Sequence, residues 1–277
     1  MFRSFQILIS SMVIAVLTGC HPPKQTSAFW QQVKITDLSP LHSVKETETQ
    51  LLKTINFNIY TFEIPAENIT VMDSIWEMLY TEPIQFNNYD TFIANSFLVG
   101  FGQIQMWNKI ADLLRKGNGR KTEVTSLIST DGQSNDVIVS QLQDEHTIFY
   151  VSTEGVMEGV AIGPGQLSLR IKARKIAGRR GICRVEVTPV FVSPTLEVIP
   201  QLDNNAKSGD FAFASVGFKV NMSPGDFVLI GSRKYHSHQI TLDSLFFSTP
   251  LSAINKASSE SKPIISLYLI ICTDIMD

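Results

Sequence analysis

Charge is scarce in this chain. Only 18% of its 277 residues are Asp, Glu, Lys or Arg, and the formal net charge is −3. That balance gives no electrostatic case for nucleic acid as a partner. Cysteine is scarcer, at three residues, so at most one internal disulfide can form. Catalytic phrasing is absent as well. No serine sits in a Gly-x-Ser-x-Gly elbow, and Gly163-Pro164-Gly165 is not followed by the helix a phosphate loop needs. No enzyme and no cofactor are expected. Beyond the first twenty residues no apolar run reaches 18, so no membrane-spanning helix is expected there. What the chain does have is apolar material, 44% of its residues, enough to fill one large core or two small ones.

The one long apolar run is at the start. Met1-Phe2-Arg3 is a short positive end, and Phe5 to Leu17 is apolar except for Gln6, Ser10 and Ser11. It is too short for a comfortable span, which takes about 20 residues. Leu17-Thr18-Gly19-Cys20 follows. The four residues resemble, position by position, the lipobox of bacterial lipoproteins. The resemblance implies cleavage before Cys20 and acylation of that cysteine. The membrane would then be held through lipid, each buried methylene adding about 0.8 kcal/mol. His21 in place of an aspartate implies the outer membrane, in envelopes that have one. An ordinary secretory signal containing a cysteine is the alternative.

Residues 1–19 are therefore expected to be a signal peptide, and 20–54 an acylated tether that is polar, interrupted by Pro22, Pro23 and Pro40, and aperiodic. From Asn56 the pattern sharpens. Alternation to Ile64 predicts a strand, closed by Pro65. Val71, Ile75 and Leu79, widened by Met72 and Trp76, predict a helix over 66–80. Strands are predicted over 84–89 and 92–101. A second helix is predicted over 103–116, capped by Gly117-Asn118-Gly119, and a strand over 122–129. This βαββαβ module, 55–130, should bury two helices on one face of a small mixed sheet and leave the other face for a partner. Residues 131–277 read as a mainly antiparallel β domain, with strands near 137–142, 147–152, 166–174, 182–192, 211–221, 227–230 and 264–272. The fold class is α+β. The run Ile264 to Ile271, apolar on both faces, suits a central strand buried on both sides or one facing lipid.

Three clusters carry chemistry. The hairpin around Gly178 places Leu167, Leu169 and Ile171 on one face and Arg170, Lys172 and Arg174 on the other. If paired residue numbers sum to about 358, Lys172 faces Glu186 and Arg174 faces Arg184, an unfavourable like-charge pair. With Lys175, Arg179 and Arg180 this makes a basic tip suited to acidic protein or anionic headgroups, or else a solvated outer face. Cys183 and Cys272 lie in apolar strands. They are either inert buried thiols or a disulfide, whose loop of roughly 90 residues would be worth about 4 to 5 kcal/mol. His236-Ser237-His238 with Asp243 would place two imidazoles on one strand face. No third ligand is fixed by spacing, so no metal site is expected.

The stretch Phe57 to Ser129 resembles the ring-building modules of secretins, the outer-membrane channels of secretion and pilus systems. The phrasing is Ile64-Pro65-Ala66-Glu67 before the first helix and Phe92 to Val99 before the second. The second half is similar to the secretin core. Leu167 to Ile171 and Val185 to Val190 resemble its early paired strands. Val216 to Val220 followed by Pro224-Gly225-Asp226 to Gly231 resembles its strand, glycine turn and strand ending in glycine. The segment Thr241 to Phe247 departs from the Val-Pro-x-Leu-Gly-Asp phrasing of that family. The resemblance implies a structural envelope protein that self-associates, or docks within a secretion-type assembly, through edge strands and sheet faces. The alternative is a monomeric binding lipoprotein with one deep pocket lined by aromatics such as Tyr150, Phe191 or Phe213.

Overall fold

The alternation that begins at Asn56 marks the first strand, and that strand lies near the middle of the molecule. A computed structural model describes residues 53–193, 210–235, 240–248 and 263–276. The signal, Cys20 and nearly all of the tether lie outside the described residues, as do His236 and His238. In chain order the elements are β1 (Thr54–Pro65), α1 (Val71–Trp76), β2 (Ile84–Phe86), α2 (Tyr89–Ala94), β3 (Phe97–Gln103), α3 (Trp107–Lys116), β4 (Arg120–Thr130), β5 (Ser134–Leu142), β6 (His146–Val151), β7 (Met157–Ile162), β8 (Gly165–Lys175), β9 (Cys183–Val192), β10 (Phe211–Ala212), β11 (Phe218–Met222), β12 (Asp226–Ser232), α4 (Leu242–Phe247) and β13 (Ile264–Ile275).

Two antiparallel sheets carry the fold, which is α+β. Sheet A has the order β3-β12-β13-β1-β4, and sheet B has the order β2-β11-β9-β8-β5 with β10 on β9. A β6-β7 hairpin stands apart. The division expected at residue 130 does not separate two bodies. β1 pairs with β13 and β3 pairs with β12 in sheet A, while β2 pairs with β11 in sheet B. Both stretches therefore contribute to both sheets.

The central strands of sheet A are buried on both faces, whereas its edge strand β4 is largely exposed. Phe62 and Ile64 of β1, Phe227 and Leu229 of β12, and Leu267 and Leu269 of β13 pack in one cluster with Met72 and Ile75 of α1, Leu79, and Ile110 and Leu114 of α3. Ile55, Phe57 and Ile59 of β1, with Ile270 and Cys272 of β13, pack instead against Leu167, Leu169, Ile171, Val185 and Val187 of sheet B. The layers are helices, sheet A, sheet B. The sheet face expected to be free for a partner is the core of the molecule, because Ile55, Phe57 and Ile59 are apolar and need cover that the helices on the far face cannot give.

Glycine brings the helical layer close. A Cβ added at Gly100 would lie 2.5 Å from the Leu79 Cβ, and one at Gly102 would lie 2.4 Å from Phe227 Cζ. α3 ends as predicted. Asn118 takes the left-handed conformation at φ 55°, and the Gly119 amide donates to the Leu114 carbonyl at 2.7 Å.

Four expectations change. The helix expected over 66–80 is a 3-10 turn, Ala66–Asn68, followed by the six-residue α1. The strand expected over 92–101 starts later, because Tyr89–Ala94 is helical. Asn88 caps that helix, its side chain accepting from the Thr91 amide at 3.2 Å. The strand expected over 211–221 is split into β10 and β11 by a 3-10 turn at Ala214–Val216. α4 was not expected. It opens with a Thr241–Ser244 capping box and buries Leu242, Leu245, Phe246 and Phe247 at one end of the space between the sheets. There Phe97, Phe246, Phe247 and Phe213 meet with ring centroids 4.9 to 6.4 Å apart.

Gly100→Ala should lower unfolding stability by about 1–3 kcal/mol through overpacking against Leu79. The double variant Gly100→Ala with Leu79→Ala should show a positive coupling in urea denaturation.

Candidate functional site

The outer face of sheet B is where the sequence placed its charges, and the register sets them in rows. β8 and β9 pair with Lys172 opposite Glu186 and Arg174 opposite Arg184, the pairing read from the hairpin. Beyond β9 lies β11, so the first row continues through Glu186 to Lys219, and the second through Arg184 to Asn221. The row nearer the start of β8 is Asp136, Arg170, Thr188.

The rows differ in how their charge is met. Arg170 is fully engaged. Its Nε and Nη2 donate to the two Asp136 carboxylate oxygens at 2.7 Å each, and Nη2 also reaches Asp210 at 2.7 Å. Hydrogen bonding to Asp136, then to Asp210, holds its guanidinium well above the ordinary pKa, with burial opposing. Arg170 is thus a tie between β5, β8 and the segment before β10. Its charge is therefore met within the molecule.

Lys172 and Arg174 do come together with other cations. They line a groove of about 340 Å³ with Lys175, Arg184, Lys219 and Glu186, its floor completed by Ile176 and Ala177. Five cations thus share one open groove with one carboxylate, and Lys219 reaches that carboxylate at 3.5 Å. Arg184 donates to the Asn221 side chain at 3.3 Å, an uncharged partner. Lys175 donates through Nζ to the Met276 carbonyl, and its amide donates to Asp131 at 2.8 Å, so its end of the groove is fixed. Arg179 and Arg180 stay exposed on the tip, outside the groove. Lys219 is the residue that sequence reasoning missed. Its outward direction is legible between the buried Phe218 and Val220, but nothing local says that β11 lies beside β9.

Cys183 and Cys272 are both fully buried, as free thiols, in the core between the sheets. Asp243, also buried, accepts from Ser232 Oγ at 2.7 Å and Thr241 Oγ1 at 2.6 Å, so its carboxylate is occupied in holding the start of α4. Among the described residues no three metal-ligating side chains cluster. Tyr150, Phe191 and Phe213 are all buried. They fill the core, with Tyr150 and Phe213 packed edge to face at 5.5 Å. Burial, then Glu158, to which its hydroxyl donates at 3.1 Å, pushes the Tyr150 pKa up.

No family model matches the chain, and no curated protein matches it. Among solved structures it is similar to the InvG secretin domain β-barrel of the Salmonella SPI-1 injectisome, at 10% identity and a TM-score of 0.25, over 81% of this chain and 64% of that one. A second InvG structure from the same injectisome gives 10% identity and 0.27, over 81% and 65%. GspD, the type II secretin of enteropathogenic Escherichia coli, gives 10% and 0.21, over 81% and 68%. The chain spans less than two thirds of the InvG chains. These neighbours are secretins, the family the sequence phrasing resembles.

Arg170→Ala should cost about 1–2 kcal/mol of unfolding stability, since it leaves Asp136 and Asp210 facing each other without a cation. Arg174→Glu should do the opposite, adding about 0.2–1 kcal/mol by replacing the Arg174–Arg184 opposition with an ion pair. Urea melts of the two variants check both signs.

Proposed function

We propose that this protein is a non-enzymatic, lipid-anchored component of the cell envelope whose work is structural: copies dock on one another, and through that assembly on partners at the membrane. The anchor is the acyl chains on Cys20. The outer membrane, at its periplasmic face, is where the residue after that cysteine directs it. The observation that carries the docking reading is the charge of the two outermost layers. The outer face of sheet B presents the five-cation groove. On the helical layer, Asp73 of α1 and Glu77 one turn on are exposed, alongside the exposed Lys109, Arg115 and Lys116 of α3.

A head-to-tail contact is one arrangement that meets this charge, with the groove of one copy receiving the Asp73–Glu77 pair of the next. Such a contact is heterologous, and it closes into a ring or runs on as a filament according to its rotation. A free edge supports the same reading. β4 is eleven residues long and, among the described residues, pairs along one side only, with β1, and its Val124 and Ile128 are exposed beside that edge. An unpaired edge of this length is a template for another strand. The groove chemistry suits holding an anion rather than moving a proton, since its single carboxylate is paired with Lys219. The alternative of a monomeric ligand-binding lipoprotein has less support, because the aromatics that would line its pocket are core residues.

The test is the mass of the full-length, acylated protein in mild detergent, by light scattering. A discrete oligomer is expected. Lys172→Glu with Arg174→Glu should shift it to monomer, and adding Asp73→Lys with Glu77→Lys to the same chain should restore it. A wild-type protein that is monomeric at all concentrations overturns the reading.

A further inference from the structure

We infer that Cys183 and Cys272 form an internal disulfide that bolts sheet B to sheet A at the root of the basic hairpin. Cys183 opens β9 and points inward from sheet B, and Cys272 points inward from sheet A near the end of β13. One short turn sets the spacing between those strands. β11 pairs with β9 so that Met222 lies beside Cys183, and β12 pairs with β13 so that Phe227 lies beside Ile271. Between β11 and β12 the chain crosses from one sheet to the other through Ser223, Pro224 and Gly225 alone. That crossing is fixed. The Ser223 amide donates to the Asp226 carboxylate at 2.8 Å, the Asp226 amide donates to the Ser223 carbonyl at 2.9 Å, Gly225 takes φ 90°, and its amide donates to the Cys272 carbonyl at 2.8 Å.

The layers converge there, and the two thiols are fully buried members of the same core cluster. The neighbouring Cys183, then burial, pushes the Cys272 thiol up from its ordinary pKa. A disulfide requires facing Cβ atoms and short Cα separation, which a crossing this tight favours. No third metal-ligating side chain is near enough to make the pair a metal site among the described residues.

The chemistry balances by exchange with a disulfide-bearing oxidant. One thiolate attacks a sulfur of that oxidant and releases its other sulfur as a thiol. The second cysteine then attacks the mixed disulfide and releases the remaining thiol, so two protons and two electrons leave the pair for the oxidant. The buried position means that the bond forms as the sheets come together and is then shielded from reductant. Lys175, which pairs directly with Cys183, belongs to the groove, so the bond sits under the last rung before the hairpin tip. The supply of oxidant rests on the exported location proposed above, whereas the pairing of the sulfurs rests on geometry alone.

The test uses the full-length protein isolated from the envelope fraction without reductant, denatured in N-ethylmaleimide and weighed intact. The expected result is a chain about 2 Da lighter than the dithiol, with no adduct on Cys183 or Cys272. Reduction under denaturing conditions should then expose two thiols, and the reduced, refolded protein should melt about 10 °C lower. Two adducts on the protein as isolated overturn the inference. Refolding the reduced chain in glutathione disulfide then shows which premise failed. A bond that forms there points to the location, and one that does not form points to the geometry. Cys272→Ser supplies the control, since it should melt like the reduced protein. Oligomer mass is a separate readout, so this result and the docking result fail independently.

Discussion

The interaction on which the rest depends is the burial of the central strands of sheet A on both faces. A sheet covered on one side can offer its other side to solvent or to a partner. This one cannot, because β1, β12 and β13 carry apolar side chains in both directions, from Phe62, Leu229 and Leu267 toward the helices to Phe57, Val228 and Ile270 toward sheet B. Each buried apolar side chain of this size is worth about 1.5–3 kcal/mol relative to exposure, so two covering layers follow from the sequence of these three strands. The helical layer supplies one cover and sheet B supplies the other. The outward face of sheet B is then left to water, and that is where the cations sit.

Much of this is legible locally. The period-2 pattern of β1 and the doubly apolar run of β13 carry their own meaning, and β13 is central, between β12 and β1. The β8–β9 register follows from the turn alone, so strand alternation is enough to put Lys172, Arg174 and Arg184 on one face. What is not legible is long-range or short-lived in sequence. A six-residue helix such as α2 has too few turns to show a period, and its apolar Phe92 and Ile93 run on into β3. α4 has the same difficulty. Its Phe246 and Phe247 are adjacent, and both are buried because the helix end is enclosed by Phe97, Phe213 and Tyr268. β7 escapes notice because Met157 is exposed and Gly159 breaks the apolar pattern.

The candidate site shows the same division. Its β8 and β9 members come from one hairpin, and local pattern finds them. Lys219 arrives from β11, and Asp136 and Asp210 reach Arg170 from β5 and from the start of the segment leading to β10. Which cations are neutralised and which remain open depends on these distant partners. A tally of basic residues therefore overstates a site at one position, Arg170, and understates it at another, Lys219.

The pairing of β1 with β13 has a consequence for time rather than for shape. Ile64 lies opposite Ile265, and every contact between these two strands spans about 200 residues of chain. β13 is flanked by β12 and β1, so until it is in place the two halves of sheet A, β3-β12 and β1-β4, have no edge in common. Sheet A is therefore completed only after β13 has been made. Until then the strongly apolar strands that it will join remain without their covers, so the chain keeps exposed apolar surface through most of its folding.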